Sequence, residues 1–217
     1  MRLRPDPPEA PPSWAPAPAV LDSGATWDGV LAGPEVEVPE HVADVTLQEC
    51  RWEGADLSGR NLTGLRCRDT AFVHCDLSGA VLDDAGLTRV SFTGCRLTGI
   101  VLAGASLTDV HVVDCRADLA DLRMARAAHL LVEGTGLQGA DLYRFAAADC
   151  AFLGCDLTGA SVVDAELAGT ALHGSALDGV RGAFALRGTR ISADQQIPLG
   201  VALLAALDIQ VTEPAGG

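Results

Sequence analysis

From Leu47 to Leu177 every fifth residue is apolar, twenty-seven positions in succession without an insertion. The series opens Leu47, Trp52, Leu57, Leu62 and closes Leu167, Leu172, Leu177. A helix repeats its buried face about every 3.6 residues and a strand about every 2, so neither sustains a period of five over this length. Two residues before each centre lies a second series, mostly Ala, Cys, Thr, Val or Ser. Two residues after it, Gly occurs in 14 of the 27 cases. A strict short repeat of this kind folds as a stack of equivalent segments, each packed on its neighbours.

A longer period lies over the short one. FVHCDLSG (72–79), FTGCRLTG (92–99) and FLGCDLTG (152–159) return at multiples of twenty. Sorted by twenty, one row of centres reads Trp52, Phe72, Phe92, Val112, Val132, Phe152, Leu172 and holds nearly all the rings. Another reads Leu47, Cys67, Leu87, Leu107, Ala127, Ala147, Leu167 and holds the small exceptions. Sorting by size is what stacking of equivalent residues about 4.8 Å apart favours.

ADLSG (55–59), CDLSG (75–79), CRLTG (95–99) and CDLTG (155–159) are similar to the A(D/N)LXX repeat of the pentapeptide-repeat family, and the resemblance covers about 45–191. It implies an all-β solenoid, a right-handed quadrilateral β-helix with four pentapeptides per coil, one per face. The centre and the small residue two before it then point inward. Several places depart from the pattern. Phe145 holds a small slot beside the small centre Ala147, as though the two had exchanged volumes, and Arg60 holds another inward slot. RADLADLRMARAAH (116–129) fits two registers. After Leu177 the register slips by one and resumes at Leu186 and Ile191, which predicts an irregular last coil.

The ends need covers, because a solenoid exposes backbone edges there. Residues 1–19, with seven prolines, read as a disordered tail. Residues 20–44 read as an N-terminal cap, with a strand-like EVEV and Trp27 over the first coil. At the other end Ser192 and Gln195 form a capping box. It opens a C-terminal α-helical cap over 192–210, in which Pro198 suggests a second helix start; 211–217 read as a tail. Ile197, Leu199, Val201, Leu203, Leu204 and Leu207 give this segment apolar residues on more than one face. A lid needs only one such face, so these residues are expected to join a second copy. The segment also resembles the C-terminal helix that makes homodimers in pentapeptide proteins protecting DNA gyrase.

Chemistry is hard to place on this chain. Cys50, Cys75, Cys95, Cys115, Cys150 and Cys155 fall in inward small slots and Cys67 is a centre, so packing accounts for them. The five histidines share no ligand spacing, and no phosphate loop, nucleophile elbow or dinucleotide fingerprint occurs. The expectation is a non-enzyme with no catalytic residues, no cofactor and no metal site. The proline-rich start has no apolar core of a signal peptide. The run IPLGVALLAALDI is too short to span a bilayer. A cytoplasmic protein without membrane attachment is expected.

Formal net charge is −14, and all 15 basic residues are Arg, which disfavours direct nucleic acid binding. Residues 45–178 carry 18 acids against 10 arginines; residues 1–44 carry 8 against 2. The resemblance implies an acidic rod that mimics DNA, binds DNA gyrase or topoisomerase IV and protects it from inhibitors. The residues expected to bind are Glu49, Asp69, Asp109 and Asp149 along one row, with Asp83, Asp84 and Asp164 on the neighbouring face. The alternative is a rigid protein–protein interaction scaffold with an unknown partner, its scattered Asp being merely a solvated repeat position.

Overall fold

A computed structural model describes residues 4–212. The repeat folds as a right-handed quadrilateral β-helix with one short C-terminal helix. Among the described residues pairing is parallel, and along the repeat the partners lie twenty residues apart: Cys67 beside Leu87, Phe72 beside Phe92, Asp76 beside Arg96, Val81 beside Val101. Two adjacent faces merge into continuous strands at Arg66–Val73, Gly86–Thr93 and Ser106–Val113. The other two faces pair through single bridges.

The residue two after each centre explains the abundant glycine. From Glu49 to Gly179 every one of these positions has positive φ. Each pentapeptide therefore turns through the left-handed region, where glycine meets no Cβ penalty. At Gly94 and Gly104 a second reason applies. A Cβ on Gly94 would lie 2.5 Å from the His74 ring, and one on Gly104 would lie 2.6 Å from Asp84 Oδ1. The repeat aspartates have a local task as well. Asp56 Oδ1 accepts from the Ser58 amide at 2.9 Å and from its hydroxyl at 2.6 Å. Asp76, Asp121, Asp141 and Asp156 each hold the amide two residues on in the same way. These carboxylates are turn clasps.

The interior is built of ladders. Trp27, Trp52, Phe72 and Phe92 stack with ring centroids 5.5, 6.3 and 5.0 Å apart. All seven cysteines are buried and unpaired by disulfides. Their column also has a bonding logic. The Cys95 amide donates to Cys115 Sγ at 3.3 Å, the Cys115 amide to Thr135 Oγ1 at 3.3 Å, and the Cys155 amide to Ser175 Oγ at 3.0 Å. Each side chain in turn donates to a backbone carbonyl: Cys95 to Phe72 O, Cys155 to Val132 O, Ser175 to Phe152 O. A small side chain that both donates and accepts satisfies buried backbone groups between coils. Alanine fills that volume without doing so. Burial raises the thiol pKa of Cys150 and Cys155, whereas the hydrogen bond with Cys95 lowers that of Cys115.

The irregularities resolve simply. Phe145 is fully buried beside half-buried Ala147, as the exchanged volumes required. Residues 116–129 keep the main register, with Ala117, Leu122 and Ala127 inside and Leu119 and Met124 at exposed corners. The late slip is real: Arg190 pairs with Ala171, nineteen residues back, after a 3-10 turn at Ala183–Leu186.

The ends differ more from expectation. Coil pairing begins earlier than residue 45, with Trp27 beside Leu47 and Leu31 beside Arg51, so much of the cap is itself a coil. EVEV is no strand; Val36 and Val38 are buried and Glu37 makes one bridge to Val20. Within 1–19, residues Ala15–Pro16 pair with Val30–Leu31, and residues 5–11 lie on the rod. That segment is placed by backbone bonds, which a reading from composition does not see. Residues 1–3 and 213–217, parts of the two expected tails, lie outside the described residues. The C-terminal cap is a 3-10 turn, Ala193–Gln195, leading into one helix, Gln196–Ala206, with Pro198 in its first turn rather than at a second helix start.

Candidate functional site

The row of acids predicted from the sequence is a physical column. Glu49, Asp69, Arg89, Asp109, His129 and Asp149 are successive positive-φ corners of one edge of the rod. Their side chains do not form an open acidic face. Asp69 is only 4% exposed. Its Oδ1 accepts from Arg89 Nε at 2.6 Å and its Oδ2 from Arg89 Nη2 at 2.5 Å. Burial on its own would raise the Asp69 pKa. The Arg89 guanidinium and the Glu9 amide outweigh it, so the carboxyl lies below the ordinary range.

The N-terminal segment runs along this same edge. The Glu9 amide donates to Asp69 Oδ1 at 3.1 Å and the Asp6 amide to Asp109 Oδ1 at 3.2 Å. A methyl on Gly29, the corner below Glu49, would touch the Pro11 ring at 3.8 Å. Pro5 is buried. Residues 5–11 thus form a strap parallel to the rod axis, at right angles to the coils. Glu49 is half-buried and Asp149 exposed.

On the neighbouring edge Asp84 and Asp164 are exposed and Asp83 is half-buried. Asp164 lies 4.0 Å from Arg144, and Arg123 Nη2 holds Asp121 Oδ2 at 2.5 Å. That edge is therefore mixed in charge, and the seven acids occupy two separate edges.

The candidate dimer residues also divide. Leu199 and Leu203 are half-buried with Ala202 buried, so this side of the helix faces the coil; Leu204, also half-buried, lies two turns on from Ile197. Ile197, 79% exposed, Val201 and Leu207 face outward, and Phe184, in the turn Ala183–Leu186 that this helix touches, is exposed as well. Among the described residues no helix is long and apolar enough to cross a membrane.

A family model described as "Pentapeptide repeat region" matches residues 45–110 and 85–162. The chain belongs to the pentapeptide-repeat family. Solved structures with which this pentapeptide-repeat protein aligns include trypsin-treated QnrB1, titled a plasmid-mediated fluoroquinolone resistance protein. That alignment has 19% identity over 87% of this chain and 100% of that one, with a TM-score of 0.37. Full-length QnrB1 aligns at 18% identity over 82% and 99%, with a TM-score of 0.35. HetL, from the cyanobacterium Nostoc sp. strain PCC 7120 and titled as involved in heterocyst differentiation regulation, aligns at 19% over 77% and 87%, TM-score 0.25. No curated protein matches this sequence.

Two features escaped the sequence reading. The first is the strap, whose signal was present as the spacing of residues able to donate an amide among prolines. The second is Arg89, which interrupts the acidic row because it is the cation that lets Asp69 be buried.

Proposed function

We propose that this pentapeptide-repeat protein is a non-catalytic scaffold that binds a protein partner along its rigid exterior and assembles as a homodimer through the C-terminal helix. The observation that carries the reading is the division of that helix. Ala202 and the half-buried Leu199 and Leu203 complete the lid, which leaves Ile197, Val201 and Leu207 with Phe184 as an outward apolar surface. A surface of that kind on a solvated lid supports a second copy as its cover. Sedimentation tests it. The wild type sediments as a dimer and an Ile197→Glu/Val201→Glu variant as a monomer with an unchanged circular dichroism spectrum. Equal sedimentation of the two overturns the dimer.

A finer reading names DNA gyrase or topoisomerase IV as the partner, an acidic rod standing in for the duplex and protecting the enzyme from its inhibitors. The net charge of −14 supports it. On this reading the contact falls on the exposed Asp84, Asp164 and Asp149, since Asp69 and Asp109 are engaged by the strap. The test is a supercoiling assay with a quinolone present: about micromolar protein restores supercoiling, and Asp84→Asn/Asp164→Asn weakens the rescue. No rescue by a dimeric protein refutes the topoisomerase reading and leaves the scaffold reading standing.

A further inference from the structure

The strap and the corner column share a period. Residues 5–12 contain five prolines, and only Asp6, Glu9 and Ala10 keep an amide N–H. Asp6 and Glu9 both donate theirs to the rod. They are three residues apart, and their acceptors Asp109 and Asp69 are two coils apart. A polyproline II turn of three residues advances about 9.3 Å. Two coils at the parallel-strand spacing advance about 9.6 Å. The next step of three down the strap reaches Pro12, and the next step of forty down the column reaches Gly29, where the neighbouring Pro11 ring rests. A methyl at that corner would meet the ring at ordinary contact distance, 3.8 Å, so the ring and the corner are in reach of each other.

The contacts are made by the backbone of the strap. A carboxylate set on every second coil accepts one amide per turn of the peptide, and the intervening prolines have no amide left unsatisfied. Prolines also lower the ordering entropy that a docked segment gives up. Arg89 sets the geometry from the rod's side, because it fixes the Asp69 carboxylate whose Oδ1 receives the Glu9 amide.

We infer that the column from Gly29 to Asp109 is a recognition rail for an extended, proline-rich peptide with two amide N–H groups three residues apart. Residues 5–12 are its resident occupant, and a segment of the same chemistry on a partner displaces them. The inference goes beyond the scaffold reading by naming the partner's chemistry, and its readout is peptide binding rather than topoisomerase activity, so the two fail separately.

The test uses the full chain. Asp6→Pro/Glu9→Pro keeps the strap extended and removes both donors. A fluorescent peptide with the sequence of residues 1–13 then binds this variant at least tenfold more tightly than wild type, whose rail is occupied. A peptide carrying the same two prolines does not bind, and Asp109→Ala in the variant protein abolishes binding. Equal binding to wild type and variant, or indifference to Asp109→Ala, overturns the rail. A second measurement needs no variant: amide exchange in the wild type. Protection of Asp6 and Glu9 relative to Ala10 supports the docked strap, and exchange of all three at free-peptide rates refutes it. Oligomers that disappear in the Asp6→Pro/Glu9→Pro variant would seat a second copy's strap on the rail and overturn the intramolecular assignment.

Discussion

Arg89 reaches back one coil to Asp69 and grips its carboxylate through two hydrogen bonds, 2.6 and 2.5 Å, while the Glu9 amide takes a third at 3.1 Å. The Asp69 carboxyl is thereby held below its unfolded value against burial, which acts in the opposite direction. The clasping carboxyls of Asp56 and Asp156 are lowered as well, first by the hydroxyls of Ser58 and Thr158. A depressed folded-state pKa contributes stability that is fully present above the unfolded value, about 3.9 for Asp, and is lost as pH falls through the folded value. The melting temperature is therefore expected to hold from pH 7 to about 5 and to fall steeply below about pH 4. In Asp69→Asn that fall is shallower. Acid melting curves parallel to wild type would overturn this role for Asp69.

The ring ladder stops at Phe92 and resumes at Phe152, with Val112 and Val132 between. An apolar cavity of about 60 Å³ lies where the rings are missing, lined by Phe92, Val112, Ala117, Val132 and Phe152 among others. Residual cavity volume costs about 24 cal/mol per Å³. Val112→Phe, which extends the stack by one ring, is expected to add about 1 kcal/mol to stability in urea unfolding. A loss of stability would show that the coil is too rigid to accept the ring.

Leu119 and Met124 sit at positive-φ corners of the same region, φ 59° for each, 66% and 54% exposed. The left-handed region costs a residue with a Cβ roughly 1–2 kcal/mol, partly offset by the extra chain entropy glycine brings to the unfolded state. Leu119→Gly and Met124→Gly are each expected to stabilise by about 0.5–1 kcal/mol, additively within error, in chemical denaturation. Destabilisation by either would mean that its side chain makes a contact outweighing the strain.

How much could be read from the sequence follows from what produces each feature. The five-residue period reports side-chain volume in the interior, so it gave the coil register, the Phe145–Ala147 exchange and even the slip to Leu186. The strap has no periodic apolar face: its attachment is two amides and a ring on a glycine, and to composition it looks like a tail. The acidic row was legible as a row. Its chemistry was not, because Arg89 turns from an interruption into the partner of Asp69 only when coils stack. The helix divides by the direction of each residue around its axis, and apolar residues on all sides gave no clue to which ones seal the rod.

Gln195 occupies the place after Ser175 in the column of cysteines, twenty residues on, and ends the bonding pattern of that column. Its Nε2 donates to Leu172 O at 2.7 Å and Ser175 O at 2.5 Å, and its Oε1 accepts from the Ser192 amide at 2.7 Å. The side chain is buried, so Gln195→Ala leaves the Ser175 carbonyl and the Ser192 amide without partners, while Leu172 O keeps the Ser175 amide at 3.2 Å. Unsatisfied buried groups cost about 1–3 kcal/mol each, moderated here by water reaching the opened end. Gln195→Ala is therefore expected to lower stability by roughly 2 kcal/mol and to speed amide exchange in the last coil more than near Phe72. Gln195→Glu should be worse at neutral pH, since a carboxylate has no proton to donate to either carbonyl. A Gln195→Ala protein within about 0.5 kcal/mol of wild type, below the cost of even one such group, would refute the assignment of Gln195 as the plug of the rod.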